Sequence, residues 1–382
     1  MGIYLDHNAS TPVDERVAEA MLAVLRAGQG NPSSVHGPGR AARAAIEQAR
    51  EQVAALVGAA PGQVVFTSGG TEANNLALHA VLADAPPGRL VVSAIEHASL
   101  LEAAEGWSRR GWSLERAGVD GSGRVTPEHL AAVLTPDTRL VSVMMANNET
   151  GAVQDIAPLA SRARDAGAVF HTDAIQAAGK LPVDFGASGA QLMSLSAHKL
   201  YGPKGVGALI VDRSVELVPL LYGGSQEKGL RAGTENVAGI VGFGLAAELA
   251  LQALDSRRRQ ARRLRERLEA GLAGLPGVTV FAATAERLPN TTQFAVAGID
   301  GEALLMQLDK DGIAVSSGSA CTSGSTEPSH VLTAMGVDEE TARGAIRVSV
   351  GRDNTEADVD ALLASLRRRI EWLQKASRAA GW

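Results

Sequence analysis

Four settings along this 382-residue chain could do chemistry. In "VVFTSGGT" an apolar run enters Gly69, Gly70 and Thr71, which open a helical stretch. Small residues at a helix start offer free N–H groups to an anion, and a phosphate fits them. "AVFHTD" ends on Asp173, a carboxylate that is costly at the end of a buried strand unless a cation meets it. "QLMSLSAHKLYGPKG" closes a third run on Ser196, followed by His198 and Lys199. A lysine beside a desolvated strand end loses basicity and can condense with a carbonyl. Each feature alone has a plain structural reading: a glycine turn, a satisfied aspartate, a surface lysine. Together they supply what pyridoxal phosphate requires, namely a phosphate cradle, an acid for its ring nitrogen and a lysine for its aldehyde. The fourth setting is "SSGSACTSGST", which holds the chain's single cysteine, Cys321. An inert cysteine is usually a small buried hydrophobe, whereas this one lies in linker-like composition. It reads either as an incidental surface thiol or as a nucleophile on a moving arm, with residues from Ser319 to about His330 expected to be mobile.

The elements that position these residues follow from the apolar pattern. "AARAAIEQAREQVAALVG" has helical spacing and stops at Gly58. "RLVVSA", "RLVSVMMA", "AVFHTD", "QLMSLSA" and "VGALIV" are unbroken apolar runs separated by helical or turn-rich stretches. Such runs suit strands buried on both faces of a parallel sheet covered by helices. "TPEHLAAVL" opens with a Thr cap and Pro127 in the first turn. Thr355 and Asp358 stand at capping-box spacing before the last helix. After about residue 255 the texture becomes more charged. The expected class is α/β, with a large domain over 15–255. A smaller α+β domain takes residues 1–14 and 256–382 and carries the cysteine loop.

Composition narrows the function classes. One cysteine permits no internal disulfide and no multi-thiolate zinc site, and no metal is expected. The net charge of −6 argues against a surface that coats nucleic acid. The arginine-rich stretch "DSRRRQARRLRERLEAGLAGL" reads as a solvated helix face. "MGIYLDHNAS" lacks a basic, apolar leader, and "VAGIVGFGLAAELALQAL" is interrupted by Glu248 and Gln252. A cytoplasmic protein without membrane spans is expected.

In order, "YLDHNAS", "SGGTEANNLAL", "EHASLL", "NNETGAVQDI", "FHTDAIQAAGKLP", "SAHKLYGPKGVGAL", "RAGTEN" and "SSGSACTSGSTEPSHVL" resemble the motifs of the cysteine desulfurases. These are pyridoxal-phosphate enzymes of aminotransferase fold type I, class V. The serine-rich cysteine motif resembles the long-loop, iron–sulfur-assembly and nitrogenase-maturation kind. The resemblance implies that Lys199 holds the cofactor, Asp173 pairs with its ring nitrogen, His97 stacks on the ring and shuttles a proton, and Gln176 binds the ring hydroxyl. Gly70, Thr71, Ser196 and His198 would hold the phosphate, Thr234 would reach the phosphate of a neighbouring subunit in a homodimer, and Asn148 and Arg347 would bind the substrate carboxylate. Cys321 would take sulfur from L-cysteine as a persulfide and pass it to a protein acceptor, such as an iron–sulfur scaffold or a thiolation protein. Ser10 and Ser225 depart from the commoner residues at those places, and the tail after "EWLQKA" is short, which leaves the acceptor open. The alternatives are a selenocysteine lyase, another enzyme of the same fold, or a sulfur carrier that has lost its cofactor. Cys321 disfavours an aminotransferase, and Lys199, Asp173 and His97 together disfavour a carrier.

Overall fold

The computed structural model describes residues 2–27, 30–317 and 328–379. Its strands are β1 (Ile3–Tyr4), β2 (Val64–Thr67), β3 (Arg89–Ser93), β4 (Ser113–Ala117), β5 (Thr138–Ser142), β6 (Val169–Asp173), β7 (Leu192–Ser196), β8 (Gly207–Val211), β9 (Val278–Val280), β10 (Thr291–Val296), β11 (Ile313–Ala314), β12 (Ser316–Ser317) and β13 (Ala345–Ser349). Seven of them form one sheet in the order β2-β8-β7-β6-β5-β3-β4. The expected apolar runs are its strands, and β3, β5, β6 and β7 are almost wholly buried. Five neighbouring strands, β4 through β7 in that order, run parallel. "VGALIV" differs: β8 runs antiparallel to both β2 and β7. An apolar run buried on both faces carries no signal of strand direction. Helices cover both faces of the sheet and enclose two apolar clusters, one around Val141, Phe170 and Phe243 and one around Leu76, Leu90 and Leu140.

The helix expected from residue 41 begins earlier, at Gly37, and ends at Leu56. His36 moves the start forward, because its Nδ1 accepts the Gly39 N–H and caps the first turn. Gly58 follows at φ 63°, a left-handed stop that favours glycine. Thr126 caps Pro127–Ala131, and Thr355 and Asp358 exchange main-chain N–H bonds at the head of Glu356–Ala379, both as the sequence predicts. The apolar stretch from Val237 is a buried helix, Val237–Gln252. Among the described residues no single helix is long and apolar enough to cross a membrane. The arginine-rich helix Leu254–Ala273 buries Leu264, Leu268 and Leu272 and leaves most of its charges in solvent.

A second sheet, β12-β13-β10-β9, is antiparallel, and β1 pairs separately with β11. Its apolar core joins Leu5 to Phe294, Leu304, Ile346 and Leu362. The N-terminal segment therefore packs with the C-terminal part of the chain, and Asp6 bridges to Ser349. A further cluster joins Ile95 and Met144 to Phe281, Val331 and Ala345. The two sheets thus share packed apolar surface beside the strand ends.

Candidate active site

The carboxyl ends of β2, β6 and β7 open on a cavity of about 300 Å³. Gly70, Thr71, His97, Asn148, Asp173, Gln176, Ser196, His198, Lys199 and Arg347 all line it. Ten of the twelve residues expected from the sequence therefore meet in one place. Thr234 does not: it is exposed and lies outside this cavity. Cys321, together with residues 319–327 of the expected mobile segment, lies outside the described residues. Its downstream end, Ser329–His330, is tied down. Ser329 is buried, caps the helix His330–Ala334 and donates its hydroxyl to Glu149 Oε2 at 2.5 Å. His330 Nε2 lies 3.0 Å from the Glu96 carbonyl.

Asp173 ends β6 and is buried. Its carboxylate accepts the Asn74 amide at 2.8 Å and the Ile175 N–H at 2.9 Å. Burial pushes its pKa up, while these bonds and the nearby His97 and Lys199 pull it back. An acid in this position, facing a cavity, fits a cationic ring nitrogen. Lys199 sits in a short helical turn after β7, where its Nζ donates to the carbonyls of Asn8 (2.5 Å) and Ala9 (2.8 Å). The turn is closed by Tyr201 at φ 69°, a conformation unfavourable for a side chain of that size. Thr11 Oγ1 accepts the Tyr201 N–H at 2.7 Å, and the Tyr201 hydroxyl accepts the Arg352 N–H at 2.7 Å. Those bonds hold the strained residue two places beyond the lysine.

His97 caps the helix Ala98–Ser108: its Nδ1 accepts the Ser99 N–H at 3.1 Å, so a neutral ring carries its proton on Nε2. Burial lowers its pKa most; Asp173 opposes this, and Lys199 and His330 add to it. His198 is lowered to about 4, first by burial and then by Lys199. Both rings are therefore neutral at physiological pH. Gly70 opens the helix Gly70–Leu82, and a Cβ there would stand 2.3 Å from the Ile175 side chain. With Thr71, Ser196 and His198 this helix start makes a polar cradle that suits a phosphate. At the other end, the Arg347 guanidinium is buried, held by Asp6 Oδ1 (2.6 Å) and the Asn148 carbonyl (3.2 Å), while its Nε has no partner among the described residues.

These donors fit pyridoxal phosphate: a phosphate cradle, a buried acid and a lysine share one cavity. Sequence reasoning missed Asn74, which lies on the second turn of the helix behind the cradle and steadies Asp173. It also missed Asn8 and Ser99, which line the cavity. The signals were present in "EANNLAL" and "DHNAS", but an amide's role depends on its distant partner.

Residues 3–362 match the family of class-V aminotransferases. The cysteine desulfurase of Trichormus azollae is 46% identical over 386 aligned positions, covering 100% of this chain and 96% of that one. The cysteine desulfurase NifS of Azotobacter vinelandii is 44% identical, covering 98% and 94%. The X-ray structure of a NifS-like protein from Rickettsia africae superposes with a TM-score of 0.88 at 37% identity, covering 97% of this chain and 100% of that one. The chain belongs to the class-V aminotransferase family of pyridoxal-phosphate enzymes, among its cysteine desulfurases.

Proposed function

We propose that this enzyme removes sulfur from L-cysteine, releasing L-alanine and leaving a persulfide on Cys321 for transfer to an acceptor protein. The convergence of Lys199, Asp173, His97 and Arg347 on one cavity carries this reading. The bound cofactor would supply an electron sink for the substrate's α-carbon. Lys199 would hold it through the aldehyde, Asp173 would face its ring nitrogen and Gln176 its ring hydroxyl. Gly70, Thr71, Ser196 and His198 would hold its phosphate. Arg347 suits the substrate carboxylate because its planar donors match a carboxylate in pairs, and Asn148 stands beside it. The Lys199 amine would take the α-proton of the substrate. Neutral His97 can accept a proton and so favour the Cys321 thiolate, the nucleophilic form. Cys321 Sγ then bonds to the substrate sulfur as the C–S bond breaks. Cysteine and a protein thiol become alanine and a protein persulfide, and no outside oxidant is needed.

The same reading assigns residues 15–255 to a cofactor domain, with 1–14 and 256–382 as the smaller one, in a cytoplasmic homodimer. In that dimer the exposed Thr234 would serve the neighbour, and exposed apolar side chains such as Leu25, Val35 and Tyr222 are available to be covered. Light scattering should give twice the 39.5 kDa chain mass. The acceptor would be an iron–sulfur scaffold or a thiolation protein.

Cys321→Ser tests the central step. The variant should stay yellow and change its absorption on adding cysteine, while alanine production falls by orders of magnitude. Near-normal alanine production would mean that Cys321 is incidental and that another group cleaves the C–S bond.

A further inference from the structure

The floor of the cavity is organised by Asn8, which is buried and uses every polar atom it has. Its carbonyl accepts from Lys199 Nζ (2.5 Å) and Gln176 Nε2 (2.9 Å). Its side-chain Oδ1 accepts from Lys180 Nζ (3.1 Å) and the Asn290 amide (3.0 Å), and its Nδ2 donates to the Asn148 carbonyl and Thr291 Oγ1. Lys180 also donates to Gln176 Oε1 at 2.5 Å. Two lysines thus reach one asparagine, Lys199 at its main-chain oxygen and Lys180 at its side-chain oxygen.

Lys180 is unusual in its surroundings. Both of its hydrogen-bond acceptors are neutral amides, and among the described residues no carboxylate forms an ion pair with it. The charged and titratable groups facing it on the cavity side are Lys199, Arg347 and His198. Behind it, a small second cavity brings His7, Arg257, Arg258 and Arg352 to the same wall. Of the nearby acids, Asp6 is engaged by Arg347 and Asp14 by Arg16 and Arg352. Leaving a cation uncompensated among other cations is costly. The cost is reasonable at a site that has to keep a neighbouring amine from holding its proton, because one buried cation disfavours the next.

We infer that Lys180 is a positioning and charge-tuning residue for the cofactor site. It fixes the Gln176 amide by holding its oxygen. Through its place across Asn8 it also lowers the proton affinity of the Lys199 nitrogen. The geometry carries the assignment: Lys180 Nζ donates to both Asn8 Oδ1 and Gln176 Oε1. Burial, Lys199 and Arg347 push the Lys180 ammonium well below its ordinary pKa, so its charge acts on Lys199 only over the part of the titration in which Lys180 is still protonated.

The inference rests on the cofactor reading above, and a spectroscopic titration separates the two. The purified holoenzyme is titrated with base while the visible band of the lysine-bound cofactor is followed. Lys180→Met and Lys180→Gln are compared with wild type. Gln keeps a donor for Gln176 Oε1 without the charge, and it carries the test if Met does not fold. Loss of the charge should raise the pH midpoint of the band by about one unit in both variants, and Lys180→Arg should stay near wild type. A wild-type protein with no visible band would refute the cofactor reading itself. A normal band whose midpoint does not move in Lys180→Gln would overturn the charge role of Lys180 and leave the cofactor reading standing.

Discussion

The two ends of the cavity are built in different ways. The ring and phosphate end comes from one rigid source, the carboxyl edge of the seven-stranded sheet. Asp173 ends β6, Ser196 ends β7, and Lys199 and Gly70 lie within a few residues of β7 and β2. Buried parallel ladders fix their spacing, and local bonds such as Asn74 to Asp173 finish the alignment. The carboxylate end is a composite. Arg347 lies in β13 of the small sheet, Asp6 in the N-terminal segment, and Asn148 in the loop after β5. Its geometry therefore depends on how the two sheets sit together. Asn8 is the principal tie, bonded to Asn148 and Gln176 on one side and to Asn290, Thr291 and Ser349 on the other. One end is preorganised by its scaffold, and the other is set by a contact between scaffolds.

The largest expected effect comes from breaking the preorganised end. Asp173→Asn removes the charge opposite the ring nitrogen, and kcat should fall by about 10³-fold. Because Asn keeps the shape and the site is held by the sheet, the melting temperature should change little. A comparable loss of stability and activity would mean that Asp173 serves mainly to hold the strand end.

Arg347→Lys tests the composite end. A lysine keeps the charge but loses the planar pair of donors, and it cannot span Asp6 and the Asn148 carbonyl as the guanidinium does. The KM for cysteine should rise by about 100-fold, roughly 2.7 kcal/mol of binding, with kcat changed much less. A fall confined to kcat would place Arg347 in the chemistry rather than in substrate binding.

Asn290→Ala addresses the tie itself. It removes one donor to Asn8 Oδ1 and one to the Val350 carbonyl, and should cost about 1–2 kcal/mol in denaturant unfolding. A rise of a few-fold in KM, with the cofactor spectrum unchanged, would show that the tie serves the composite end. A changed spectrum with an unchanged KM would reverse the comparison.

The contrast also explains what could be read from the chain. Gly70, Asp173, Ser196 and Lys199 were legible because an apolar run that ends in a polar residue marks a strand edge, and a parallel sheet gathers its edges. Arg347 sits mid-strand in "AIRVS" and has no such local mark; only its resemblance to family motifs brought it into the set. Asn8 and Asn290 are 282 positions apart and are joined by one side-chain hydrogen bond, so neither announces the other. Lys180 reads as an ordinary lysine at the end of "AIQAAGK" until the fold places Gln176 and Asn8 beside it. Glu149 is similar. Burial raises its pKa, and its partners Ser329 and Gln293 come from more than 140 residues away.

The smallest effect concerns the junction between the two ends, where His330 approaches His97 from the C-terminal part of the chain. His97 is held below its ordinary pKa first by burial, with Lys199 and His330 adding to that and Asp173 opposing it. If its neutral ring is the working form, kcat/KM is constant above that lowered pKa. It is lost as pH falls through it, when the ring takes up a proton and can accept no other. His330→Gln removes one of the two groups that disfavour the charged ring, while the Gln amide can still donate to the Glu96 carbonyl that His330 now meets. The His97 pKa should then rise, and the acid limb of the kcat/KM profile should move to higher pH by a few tenths of a unit. The plateau above it should keep its height, because no group in contact with the substrate has changed. A limb that moves to lower pH, or does not move while the plateau falls, would mean that the acid limb reports a group other than His97.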